Sequence, residues 1–211
     1  LHSHLVPALR AALCGAVLAL LAACGGGKDD EATAVQPPPM PVNPVGRGSF
    51  KASAPLGTVA ADEIAAEVAA LMPGDELILQ GGTYTPSGSG FWNITVSGTA
   101  ALPIVIRSKT GERAHYAFSG VGQNIVNITG SHLVFRNIEF SGGSRGLRFQ
   151  AGASFDTVEG CEVHGTEDVA IAANDTGATY DGMRFTSNHV HHTGTGTGEG
   201  FYLGCNNATC R

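Results

Sequence analysis

Three segments of this chain can be laid beneath one another: Phe135-Arg-Asn-Ile-Glu-Phe140, Val158-Glu-Gly-Cys-Glu-Val163 and Phe185-Thr-Ser-Asn-His-Val190. Counted from 135 to 158 to 185, the copies start 23 and then 27 residues apart. Each is followed by a second short apolar alternation, Leu147-Arg-Phe149, Val169-Ala-Ile171 and Phe201-Tyr-Leu203. Periods of this size, carried by β-branched and aromatic residues at every second position, belong to stacked coils of a parallel β-solenoid. The expectation is an all-β domain, a right-handed single-stranded parallel β-helix, in which equivalent side chains of successive coils form columns.

Strand alternation sorts each coil into inward and outward residues. The inward sets are Leu133, Phe135, Ile138 and Phe140, then Val158, Cys161 and Val163, then Met183, Phe185 and Val190. Glu139, Glu162 and His189 form one outward column, with Ser141, His164 and His191 beside it. Asn137, Gly160 and Asn188 fall at the bend between two strands, where a left-handed backbone is needed. On the next strand the outward column reads Arg148, Ala170, Tyr202. The loop before it sets Arg145, Glu167 and Glu199 in register, with Asp168 adjacent, and this charged edge is the candidate cleft. The segment His192 to Gly200 is longer than its counterparts, and insertions on one face of a solenoid usually build its binding surface.

Upstream, Asp62 to Met72 carries Ile64, Val68, Leu71 and Met72 on one helical face, with Asp62 suited to the N-cap and Pro73-Gly74 as the stop. Such a helix would cover the otherwise sticky first coil. Short strands are expected at Glu76 to Leu79, Gly82 to Tyr84, Trp92 to Val96 and Pro103 to Arg107.

The chain is 43% hydrophobic and 14% charged with 30 glycines, which describes a folded, turn-rich β domain. A net charge of -6 with no run of Lys or Arg argues against nucleic acid, whose binders need a basic stripe. An acidic surface can instead recruit calcium.

At the N-terminus, Arg10, an apolar stretch to Leu20 and Leu21-Ala-Ala-Cys24 resemble the signal peptide and lipobox of bacterial lipoproteins. The apolar stretch is too short to span a bilayer as a helix. The resemblance implies residues 1–23 as signal, Cys24 as the lipidation site, residues 24–57 as a Gly/Pro-rich tether and residues 58–211 as the β-helix. It places the chain at the bacterial outer membrane through its lipid anchor alone, as a monomer; an ordinary secretory signal with a chance cysteine is the alternative. In an exported compartment Cys205 and Cys210 can close a small disulfide loop, while Cys161 reads as a buried thiol.

Leu71-Met-Pro-Gly-Asp-Glu-Leu-Ile-Leu79, Gly81-Gly-Thr-Tyr84 and Gly98-Thr-Ala-Ala-Leu-Pro-Ile-Val-Ile106 resemble the opening segment of parallel β-helix polysaccharide lyases of the chondroitinase-B/alginate-lyase and family-nine pectate-lyase type. The resemblance implies an acidic polysaccharide as partner and β-elimination as the reaction. In that chemistry Ca2+ neutralises the uronate, a Lys or Arg removes the C5 proton and an acid assists the leaving oxygen. Arg148 and Glu199 are the candidate catalytic residues, Arg145, Tyr202 and His191 the substrate contacts, and Glu167, Asp168 and Glu199 the Ca2+ ligands.

The family pattern departs here in that no lysine follows Lys109, and the chain stops at Arg211 in mid-coil, which predicts an incomplete solenoid. The rival function is a non-catalytic glycan-binding or envelope module. Each candidate also has a structural alternative: a salt-bridge ladder for the Arg and Glu residues, and stacking beside turns for His164, His189, His191 and His192 in place of metal binding or proton transfer. Trp92 reads as packed on the capping helix rather than on a sugar. The sequon asparagines Asn93, Asn127 and Asn207 read as ladder residues.

Overall fold

The computed structural model describes residues 50–52, 59–86, 92–120, 122–194 and 198–204, with side chains from Ile64 onward. The lipobox, Cys24, Cys205, Cys210 and Asn207 lie outside the described residues.

The chain runs through β1 (Phe50–Ala52), β2 (Val59–Ala60) and α1 (Ala61–Ala69), and then through successive sets of three strands. These are β3 (Glu76–Leu79), β4 (Gly82–Thr85) and β5 (Trp92–Ile94); β6 (Ile104–Ser108), β7 (Ala114–Phe118) and β8 (Val126–Ile128); β9 (Leu133–Arg136), β10 (Ile138–Gly142) and β11 (Leu147–Phe149). Two more sets follow: β12 (Thr157–Glu159), β13 (Glu162–His164) and β14 (Ile171–Ala173); β15 (Arg184–Thr186), β16 (His189–His191) and β17 (Phe201–Leu203). Corresponding strands stack into three sheets, the first ordered β1-β3-β6-β9-β12-β15, the second β2-β4-β7-β10-β13-β16 and the third β5-β8-β11-β14-β17. Every pairing is parallel, so the expected parallel β-helix is the fold. β1 joins the first sheet from within the stretch read as a tether.

The three aligned segments stack in the expected register, with Phe135 beside Val158 and Val158 beside Phe185. Phe135, Phe140, Val158 and Val163 are fully buried, and each large side chain so removed from water contributes roughly 1.5–3 kcal/mol. Aromatic layers extend the columns: Trp92 stacks on Tyr116 at 5.2 Å, and Phe185 meets Phe149 and Phe201 edge-on at 5.8 Å. Cys161 is a buried free thiol, as its inward position requires.

The corner between the first and second sheets is very short in the later coils. Asn137 (φ 54°), Gly160 (φ 59°) and Ser187 (φ 54°) take the left-handed turn there. Ser187, not Asn188, is thus the bend residue of its coil, as the aligned copies themselves indicate. Asn188 works one position later: its Oδ1 accepts the Cys161 N–H and its Nδ2 donates to the Val158 carbonyl, both at 2.9 Å. One glycine is compulsory at the next corner, because a Cβ on Gly142 (φ 84°) would lie 1.9 Å from the Phe118 carbonyl oxygen.

The helix starts at Ala61, directly after β2, so Asp62 is its second residue rather than its N-cap. It ends at Ala69, leaving Met72 beyond the helix and 45% exposed. Ile64 and Val68 are buried, and α1 packs against β5 at the end of the third sheet, where the first coil supplies a helix in place of a strand. Among the described residues no helix is long and apolar enough to cross a membrane.

Candidate functional site

The outward face of the third sheet carries one continuous column, Asn93, Asn127, Arg148, Ala172 and Tyr202, set by strand register. Asn124 donates to Asn127 Oδ1 at 2.7 Å, and Asn127 donates to Asn93 Oδ1 at 3.3 Å, so both sequon asparagines within the described residues are ladder residues. Arg148 is about a fifth exposed and its Nη2 donates to Asp175 Oδ1 at 2.6 Å, while its buried Nε has no partner. Asp175 is fixed in turn: its backbone N–H donates to the Tyr180 hydroxyl, which donates to the Phe149 carbonyl. Tyr202 stands two strand spacings, about 10 Å, from Arg148 and is 36% exposed.

This column corrects the expected one, which placed Ala170 between Arg148 and Tyr202. The apolar run Val169 to Ala173 has no polar residue to fix its frame, and a shift of two preserves the alternation. The frame is set at the preceding corner, where the Gly146 N–H donates to the Val169 carbonyl and a Cβ on Gly146 would lie 2.4 Å from the Ala170 oxygen.

That corner holds the other predicted residues. Arg145 pairs with Asp168 at 3.2 Å, and the Asp168 N–H donates to the Ser144 carbonyl, so Asp168 and not Glu167 is level with Arg145. Glu167 is exposed and accepts the Gly122 N–H at 3.2 Å. Glu199 is exposed too, and its carbonyl accepts the Ala170 N–H. An open cavity of about 540 Å³ lies here, lined by Gly165, Thr166, Glu167, His192, Thr193 and Gly194. The described residues bring three His, Asp or Glu donors together at two places, and neither includes Glu167, Asp168 or Glu199. The predicted Ca2+ ligands therefore do not form a converging set.

His191 lies on β16 in the second sheet, apart from Arg148 and Tyr202 in the third. There the expected columns hold, Glu139 beside Glu162 beside His189 and Ser141 beside His164 beside His191. His191 Nε2 meets Glu162 Oε1 at 2.9 Å, and this bond is the first cause holding the Glu162 carboxyl below its ordinary range. The imidazoles of His164 and His191 stack at 4.8 Å, and His191 contacts His192 through their Nδ1 atoms. Sequence reading did not include His115, which extends this ladder from β7 beside Glu139.

A second feature the sequence did not signal is a trough of about 290 Å³ along the first sheet, floored by Val105, Val134 and Thr157 and ending at Arg184. One wall is His132 stacked flat on Phe155 at 5.0 Å, both with positive φ, although Phe155 is bulky and 52% exposed. Trp92, by contrast, is buried against Tyr116.

No protein-family profile and no curated protein matches the sequence. Among solved structures, an alginate lyase from Paenibacillus sp. str. FPU-7 superposes with a TM-score of 0.61 at 23% identity over 72% of this chain and 50% of that one. A pectate lyase, Pel9A, superposes with a TM-score of 0.45 at 21% identity over 58% of this chain and 40% of that one. The chain spans about half the length of the alginate lyase. What the two share is the fold: this chain is a parallel β-helix built like that of a polysaccharide lyase.

Proposed function

We propose that this β-helix binds an acidic polysaccharide along the outer column of its third sheet and cleaves it by β-elimination. The observation that carries the reading is the column itself. Two amides and a guanidinium stand in line at strand spacing, and an exposed phenol ring follows two spacings on, past the buried Ala172, offering in order hydrogen bonds to hydroxyls, a clamp for a carboxylate and a stacking face for a sugar. Likeness of fold to an alginate lyase adds support of a general kind.

The fitting role of the Arg148 guanidinium, held in place by Asp175, is to neutralise the uronate carboxylate, with Arg145 assisting from the corner. Glu199 is the exposed carboxylate assigned to take the C5 proton. As the C5–H bond breaks, its proton passes to Glu199 and its electron pair forms the C4–C5 double bond, the C4–O bond breaks with its pair left on oxygen, and that oxygen takes a proton from solvent water. Ca2+ enters the proposal only as an ion shared between Glu167, Asp168 or Glu199 and a bound uronate, and no step above depends on it. His191, on another sheet, would touch only a chain long enough to wrap the corner.

The test is incubation of the purified protein with polyuronates, following the ultraviolet absorbance of the unsaturated product. Its appearance in the native protein and loss in Glu199→Ala supports the lyase. Retention of polyuronate without product, abolished in Arg148→Ala, identifies a binding module instead. The lipobox-like segment supports an exported, outer-membrane-anchored protein, which labelling of Cys24 with a radioactive fatty acid would test.

A further inference from the structure

Five of the histidines gather on the outer face of the second sheet or at its edge, interleaved with two glutamates. His115, Glu139 and His164 come from three successive coils, and their ligand atoms lie within 4.8 Å of one another. Both imidazoles aim the same ring nitrogen at one oxygen, His115 Nε2 at 3.4 Å and His164 Nε2 at 3.0 Å from Glu139 Oε1. Ligand atoms arranged tetrahedrally about zinc, at bond lengths of about 2.0 Å, stand about 3.3 Å apart. The two imidazole–carboxylate separations thus match that spacing to within tenths of an ångström, and closing the set on an ion also requires release of the 2.6 Å contact between His115 Nε2 and Ser141 Oγ.

Charge separates this set from its neighbour. Glu162 is paired with Arg113 at 3.2 Å, and one of its imidazoles, His189, is 71% exposed. Glu139 has no Lys or Arg partner among the described residues; its ion-pair partners are His115 and His164. All three members of its set are only about a quarter exposed. A partly desolvated carboxylate facing two imidazoles is a donor set suited to borderline divalent ions and ill suited to calcium, which prefers oxygen ligands. Parallel pairing fixes the three backbones, with Glu139 level with His115 and Ser141 level with His164, so the set is preorganised.

We propose that His115, Glu139 and His164 bind a zinc-class divalent ion that links three coils and keeps a fourth coordination position open to solvent. The site is separate from the polysaccharide column and does not depend on that reading.

The test uses the purified chain, stripped with a chelator and titrated with ZnCl2 in a calorimeter. Saturable binding is expected, at least about 100-fold weaker in His164→Ala and in His115→Ala, unchanged in Glu162→Gln and not displaced by calcium. Zinc should also shift the imidazole NMR signals of His115 and His164 in the native protein, a readout that requires no substitution and no activity. Absence of saturable binding, full binding by both histidine variants, or loss in Glu162→Gln with retention in His164→Ala would overturn the assignment.

Discussion

Leu133 donates its backbone N–H to the carboxylate of Asp156, one coil further on, at 2.8 Å. Asp156 is fully buried, its second oxygen has no partner, and its carbonyl accepts the Arg184 N–H of the following coil. One residue, through its side chain on one side and its backbone carbonyl on the other, therefore ties together the strand starts of three coils.

Burial raises the Asp156 carboxyl from an ordinary 3.8 to about 7, against the smaller lowering effect of the Leu133 bond. A group whose pKa is higher in the folded state stabilises fully below its unfolded value and loses that contribution as pH rises through the folded one. Stability from this residue is thus complete near pH 3.8 and gone above about pH 7, a difference on the order of 4 kcal/mol. Asp156→Asn keeps an acceptor for Leu133 without the charge. Denaturant titrations of both proteins should show the variant gaining on the native protein between about pH 4 and pH 7, and parallel pH profiles would refute the account. Glu162, held low, acts in the opposite sense at more acidic pH, so the comparison must be made between the two proteins at each pH.

Replacing Arg148 by alanine should weaken polyuronate binding about 10- to 100-fold, the equivalent of one lost charge-assisted contact. Thermal stability should fall only modestly, because the Asp175 carboxylate left behind still accepts the Ala151 N–H at 3.3 Å and keeps some access to water. A binding isotherm beside a melting curve distinguishes these effects; a large loss of stability with unchanged binding would mark Arg148 as part of a structural ladder.

Asn137 turns the corner at φ 54°, donates to the Glu112 carbonyl at 2.9 Å and accepts from Arg113 at 3.1 Å. Asn137→Ala should cost about 1–3 kcal/mol through the left-handed backbone and the lost bonds. Asn137→Gly should cost less, since glycine accepts the conformation freely. Urea midpoints at constant slope would rank the two, and the reverse order would show that the backbone is not the source of the loss.

Burial pushes the Cys161 thiol up to about 11. The native protein should resist iodoacetamide at Cys161 near neutral pH and react once urea opens the coils, as peptide mass spectrometry can locate. Rapid native labelling would mean that the coils open locally far more readily than a packed solenoid should.

The fold was legible because stacking makes the sequence repeat: Phe135, Val158 and Phe185 had to be similar to occupy one column. Polar outward pairs fixed register equally well where both faces differ, as at Glu139 and Glu162. Legibility failed where chemistry was uniform, as in the all-apolar Val169 to Ala173, and where one residue of loop length decided which acid met Arg145. It also failed before Leu133, where β7 and β8 lie in coils whose corner lengths differ from the later ones. His115 is silent for that reason, since nothing local in Ala114–Phe118 announces that Glu139 lies beside it. The trough walled by Phe155 depends on a strained turn that no period encodes.

The single-residue turn at Asn137 and its short successors leave no room for extra length along one ridge of the prism in the later coils, whereas one coil earlier the same ridge holds residues 109–113. In those later coils extra length is carried along the two remaining ridges, where the corner after His164 and the stretch from Gln150 to Asp156 run longer. A foreign peptide spliced at Gly152 should therefore be displayed without disturbing the stack, whereas the same graft behind Asn137 would shear every column above it from every column below.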